Sequence, residues 1–143
     1  MYERILLATD GSSDADAALE HAIELATSSD ATLHIVSVVE TRTAYDNAII
    51  DPEEVKKNLT ADATDAVEHA QAVANEAGIT CETTVAEGPP PEQILTLIEE
   101  IGADAVVLGA TGRSSFKRLI LGGTAERLLK ASPVPVIVIG GGA

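Results

Sequence analysis

Five short apolar runs, each separated from the next by a segment of helical period, constrain this chain more than any other feature. RILLAT (4–9), TLHIVSVV (32–39), TCETTVA (80–86), AVVL (105–108) and VPVIVI (134–139) have the length of strands. The first is continuous rather than alternating, as a strand covered on both faces requires. Ala15, Ala18, Leu19, Ala22, Ile23 and Ala26 form a helical stripe, and Asp14, Asp16, Glu20 and Glu24 leave the other side of that helix acidic. A longer stripe runs from Val55 through Leu59, Ala63, Val67, Ala70 and Ala74, a third uses Ile94, Leu97, Ile98 and Ile101, and a fourth lies in AERLLKA (125–131). Alternation of this kind predicts a parallel five-stranded sheet with helices on both faces, doubly wound through right-handed crossovers. Ligands of such sheets bind beyond the carboxyl ends of the strands, where the winding direction reverses. The turn at Thr9–Ser13, the end of the second strand and the loop after the fourth strand are therefore expected to share one site.

Turn chemistry sets the boundaries. Asp10-Gly11-Ser12-Ser13-Asp14 reads as a turn followed by N-cap residues, and Ser28-Ser29-Asp30 breaks the first helix. Glu40–Asp51 has no clear period and reads as a loop. Pro52 suits a first helical turn, with Glu53 and Glu54 placed for its dipole, and Gly78 suits the position after the last turn. The alternating 80–86 run suggests an edge strand, Gly88-Pro89-Pro90-Pro91 a rigid turn, and Glu92–Ile101 and Thr124–Ala131 the last two helices. One domain is expected over residues 1–143, without an internal repeat or linker.

The richest stretch is VVLGATGRSSFKRLILGGTA (106–125). An apolar run ends in Gly109, Gly112 follows, and Gly122, Gly123 and Thr124 open the last helix. Glycines let backbone N–H groups converge on an oxyanion, and the helix start adds unpaired N–H groups and a positive dipole end. The spacing is neither GxxxxGK[ST] nor GxGxxG. Charge supports an anion here. The chain carries −14 overall, yet five of its nine basic residues (Arg113, Lys117, Arg118, Arg127, Lys130) fall after residue 108, against Glu126 alone. Lys130, and Arg127 with it, also suit the C-terminal end of a helix, whereas Arg113 does not. The overall acidity argues against nucleic acid and anionic membranes, which need cationic surfaces. It also resembles the proteins of salt-accumulating halophiles. No apolar run approaches the ~20 residues that span a bilayer, and MYERILLATD reads as a first strand rather than a signal peptide. Cys81 stands alone, which fits a reducing cytoplasm and a small apolar strand residue.

The pattern Gly109-x2-Gly112-x9-Gly122, the opening RILLATDGS and the closing ASPVPVIVI together resemble the universal stress protein family over essentially the whole chain. The resemblance implies strand order 3-2-1-4-5. It also implies ATP, or another adenine nucleotide, with a divalent metal (Mg or Mn) at the phosphates, held through G-2x-G-9x-G-[S/T]. By position, Gly109, Gly112 and Gly122 line the phosphates, Asp10 in the Thr9-Asp10 turn approaches the adenosine, and Val38 contacts adenine through its backbone. The hydroxyl residue of the pattern is Gly123 here, with Thr124 one place later. The Gly123 N–H remains able to bind phosphate. Dimerisation through the final strand (Val134–Ile139) is implied as well, with Pro133 and Pro135 limiting where it pairs.

Each of these residues also has a plainer reading. Asp10 before Gly-Ser is an ordinary turn residue, Arg113 a solvent-facing one, and Ser114 or Ser115 a cap as readily as a phosphate donor. Tyr45 in the 40–51 loop is a less favoured stacking partner. His21, His34 and His69 show no metal-ligand spacing, and no GxSxG elbow or Cys/His pair is present. A regulatory ATP-binding protein with at most slow hydrolysis, Asp10 being the nearby carboxylate, is the leading reading. A nucleotide-independent dimeric module of the same fold, disabled at Gly123, and a short adenylyl-transferring enzyme are its rivals.

Overall fold

The computed structural model describes residues 2–40, 52–111 and 122–140. Its elements run β1 (Arg4–Ala8), α1 (Ser13–Ser29), β2 (Thr32–Val39), α2 (Pro52–Glu76), β3 (Cys81–Glu87), α3 (Pro90–Ile101), β4 (Ala105–Gly109), α4 (Gly123–Ala131) and β5 (Val136–Ile139). The five strands form one sheet in the order β3-β2-β1-β4-β5, every pairing parallel.

Side-chain alternation along the central strands divides the core in two. Ile5 and Leu7 of β1 pack with Ala18, Ala22 and Ala26 of α1 and with Val67 and Ala70 of α2. Leu6 turns to the opposite face, against Ile94 and Ile98 of α3 and Leu128 of α4. Three consecutive residues of β1 are thus sealed, which explains why its sequence is continuous rather than alternating. Each fully buried Leu or Ile stabilises the fold by about 1.5–3 kcal/mol. Alanines on the inner face of α1 let that helix lie close to the sheet. At the far edge, β3 alternates between exposed and half-buried residues from Thr83 to Glu87, as its sequence predicts, while Glu82 and Thr83 are both exposed.

Helix ends follow local chemistry. Ser12 Oγ accepts from the Ala15 N–H, so α1 begins at Ser13, two residues earlier than its apolar stripe. Asp30 closes it in the left-handed region (φ 55°), its N–H bonding to the carbonyls of Ala26 and Thr27. Gly78 (φ 83°) follows α2 in the conformation glycine favours. Two expectations need correction. Pro90 and Pro91 lie in the first turn of α3 rather than in a separate turn, because a first-turn proline loses no hydrogen bond. Val134 and Pro135 precede β5: the Val134 N–H is taken by Ser132 Oγ at 3.1 Å, and only the Pro135 carbonyl pairs with β4.

After β1 the chain passes to α1 on one face, and after β4 it passes to α4 on the other. The reversal between these neighbouring strands opens a crevice at their carboxyl ends.

Candidate functional site

The turn after β1 is built from three local bonds. Thr9 Oγ1 accepts from the Gly11 N–H (3.2 Å), Asp10 Oδ1 from the Ser12 N–H (3.0 Å), and Ser12 Oγ from the Ala15 N–H (3.3 Å). Asp10 is therefore a turn residue, as its plainer reading holds, and it also lines the crevice.

The end of β4 fits against this turn. A Cβ on Gly109 would stand 2.8 Å from both the carbonyl carbon and the Cβ of Asp14. Gly109 is thus required by the approach of α1. Positive φ, the other reason a glycine loop is used, occurs at neither Gly109 nor Gly123, and Gly122 is extended (φ −65°, ψ 158°). Asp14 Oδ2 then accepts from both the N–H (3.1 Å) and the hydroxyl (2.6 Å) of Thr111. The Ala110 N–H bonds the Ile139 carbonyl (2.8 Å), and the Gly122 N–H returns to the Ala110 carbonyl (2.7 Å). The chain thus leaves and re-enters the described structure at a hydrogen-bonded base.

At the start of α4, Gly122 provides no capping side chain. Among the described residues nothing accepts from the Gly123 and Thr124 N–H groups. Among the described residues they are therefore free donors at a positive helix end. Gly122, Gly123 and Thr124 line a cleft of about 410 Å³, within the roughly 300–1,000 Å³ of small-molecule sites. Thr9, Asp10 and Gly109 lie along it, and Ser37, Val38 and Glu40 form its β2 side. Leu59, Asp62 and Ala63 from α2, with Pro90 and Ile94 from α3, complete the lining.

Seven of the predicted site residues therefore converge: Thr9, Asp10, Val38, Gly109, Gly122, Gly123 and Thr124. Gly112, Arg113 and Ser114, like Tyr45, Lys117 and Arg118, lie outside the described residues. The expected basic patch does not extend along α4. Arg127 pairs with Glu92 (3.2 Å) and Lys130 with Glu126 (3.2 Å), all exposed and none on the cleft wall. The described walls instead carry the carboxylates of Asp10, Glu40 and Asp62.

The histidines and the cysteine stand elsewhere. His34 Nε2 meets Thr84 Oγ1 at 2.7 Å, with Glu82 3.7 Å from Nδ1; burial holds its imidazole below the ordinary value, Glu82 opposing. His69 faces Asp16 at 3.8 Å. Cys81 packs against the α1–α2 core, and burial pushes its thiol up. Among the described residues no group of three or more His, Cys, Asp or Glu is disposed to hold a metal, and no helix is long and apolar enough to cross a membrane.

Asp14, Thr111 and Ser37 escaped the sequence reading. Asp14 looked like part of the solvated side of α1, and its partner lies 97 residues away. Ser37 looked like one more residue of an apolar strand.

A family model described as the universal stress protein family matches residues 1–140. Universal stress protein MJ0531 of Methanocaldococcus jannaschii is 31% identical over 140 residues, covering 97% of this chain and 82% of that protein. The structure of universal stress protein UspA from Lactobacillus plantarum superposes with a TM-score of 0.83 at 29% identity, covering 96% of this chain and 97% of that one. The universal stress protein from Archaeoglobus fulgidus, solved in complex with dAMP, shares the fold with a TM-score of 0.71 at 22% identity, covering 96% of this chain and 98% of that one.

Proposed function

The chain belongs to the universal stress protein family, and we propose that it is a regulatory member that binds ATP in the cleft at its switch point. The observation that carries this reading is the uncapped start of α4. Its N–H groups at Gly123 and Thr124, free among the described residues, share one cleft with Asp10, Val38 and Gly109. The phosphates lie on α4 and along Gly109 and Gly122, and the nucleoside extends toward β2 and α2. The volume suits a nucleotide, and the dAMP-bound relative of the same fold is in keeping with an adenine ligand.

Phosphate at this end meets partial positive charge from the helix and carboxylates along the walls. A divalent ion, Mg or Mn, would be carried by the phosphates, with the carboxylate of Asp10 lining the same cleft. When bound it would neutralise phosphate charge beside Asp10. Occupancy rather than turnover is the proposed signal, with Asp10 the nearby carboxylate for any slow hydrolysis. The protein is proposed to act in the cytoplasm as a dimer.

The nucleotide-independent reading draws support from one residue. Gly123 lacks the hydroxyl of the family pattern. Space is not the obstacle, for a Cβ there would meet nothing within 4 Å.

Thermal melting in high salt, with and without Mg-ATP, tests the proposal. Nucleotide at 100 times Kd adds about 2.7 kcal/mol, a rise of roughly 5–10 °C for a chain of this size. Gly123→Asp is the control, because it puts a carboxylate into open space at the helix start. It should leave the ligand-free melt unchanged or raised and abolish the ATP shift. No shift for the wild type with ATP, AMP or dAMP would overturn the proposal in favour of the interaction module.

A further inference from the structure

Two polar residues among the described ones are buried, Thr9 at 8% and Ser37 at 4% exposure, and both line the cleft. Thr9 is engaged by the protein itself, its N–H donating to the Val36 carbonyl and its Oγ1 accepting from Gly11. The Ser37 hydroxyl makes no hydrogen bond among the described residues. Leu33, Ile35, Val36 and Val39 of the same strand are buried and aliphatic. Valine or alanine would pack at such a position without the cost of burying an unbonded hydroxyl.

No fully sealed side-chain oxygen or nitrogen among the described residues lacks a partner. The Ser37 oxygen is therefore not sealed, and the opening beside it is the cleft. The strand order places β2 next to β1 and β1 next to β4. With strands about 4.8 Å apart, Ser37 lies on the order of 10 Å from the strand that leads to the phosphate end. A nucleotide with its phosphates on α4 meets Ser37 with its nucleoside.

We infer that Ser37 is a ligand-contacting residue that sets specificity, its hydroxyl exchanging a hydrogen bond with the nucleoside part of the bound nucleotide. The inference rests on the nucleotide reading above. A hydroxyl suits this place among the acidic walls because it donates as well as accepts. It can donate to a ring nitrogen, which the acceptor-only carboxylates of Asp10 and Asp62 cannot, and it can equally exchange a hydrogen bond with a sugar hydroxyl.

Calorimetric titration of wild type and Ser37→Ala with Mg-AMP, Mg-dAMP and inorganic triphosphate tests it, beside melts of the ligand-free proteins. The ligand-free melt of Ser37→Ala should match or exceed that of the wild type, since the substitution removes no bond within the protein but does remove a buried, unbonded hydroxyl. Affinity for AMP should fall about three- to tenfold in Ser37→Ala, as expected for one neutral hydrogen bond. Triphosphate binding should be unchanged. A penalty that disappears with dAMP assigns the sugar as partner, and one that persists assigns the base; both support the inference. Equal AMP affinity in the two proteins, an equal loss for triphosphate, or a lowered ligand-free melt overturns it while leaving the nucleotide reading intact. Failure of the wild type to bind any nucleotide overturns both.

Discussion

One carboxylate oxygen of Asp14 receives both the amide and the hydroxyl of Thr111, at 3.1 and 2.6 Å, tying the first turn of α1 to the segment that leaves β4. The bond joins the two sides of the switch point. Asp14 also lies in the first turn of α1, where a negative charge is favourable. Asp14→Ala should lower stability by about 1–3 kcal/mol, and Asp14→Asn by less, since its amide oxygen still accepts from Thr111. Urea unfolding checks this through the midpoint, with an unchanged slope showing that the unfolded state is unaltered.

Gly109 and Gly123 belong to the same sequence pattern but should respond oppositely to a methyl group. At Gly109 the added Cβ meets the Asp14 backbone at 2.8 Å, and backbone cannot swing aside. Gly109→Ala should cost about 1–3 kcal/mol, the usual range for overpacking. At Gly123 nothing lies within 4 Å, and the residue is already helical. Gly123→Ala should leave stability equal or raised by up to about 1 kcal/mol, and Gly123→Ser should tighten ATP binding a few-fold. Paired thermal melts, with titration for the serine variant, decide both.

The contrast shows what the sequence could carry. Element order, the buried character of RILLAT and the edge position of β3 were legible because they depend on local periodicity. The meeting of Asp10, Val38 and Gly122 followed from the winding rule for parallel sheets. Gly109 was legible as a necessary glycine, but its reason was not. Its constraint comes from Asp14, and no local pattern reports which helix will press on a strand end. Ser37 stayed invisible for a related reason, since a lone serine in an apolar strand says nothing about what lies above it. The pairing of Arg127 with Glu92 was not legible either, because the partner is supplied by another helix.

The free side of β5 gives a prediction about assembly. Val136, Ile137, Val138 and Ile139 are only half-buried, while their counterparts in β1 are sealed, and β5 pairs with β4 alone. An apolar edge strand of this kind invites a second copy. A homodimer is expected by light scattering in high salt, with Pro135 leaving Val136–Ile139 as the pairing segment. Val138→Lys should shift the mass toward monomer. A wild-type monomer at working concentration would count against pairing through this edge.

His34 gives the chain a stability that depends on pH, and the direction follows from burial. Desolvation lowers its pKa from 6.5, and the charge of Glu82 only partly offsets this. The unfolded chain therefore binds a proton that the folded chain resists, and stability should fall as pH drops below about 6.5. The fall should end once pH passes below the lowered folded value, where both states are protonated. Glu82→Gln removes the group that favours the charged imidazole, so it should widen this window. His34→Gln should flatten it. Asp104 acts in a separate range. The N–H groups of Arg4 and Glu3 hold its carboxyl below 3.8, so its contribution persists above that pH and is lost only as pH falls through the lowered value. Denaturation midpoints between pH 7.5 and 5 therefore report His34 without Asp104, and a wild-type profile as flat as that of His34→Gln would refute the assignment.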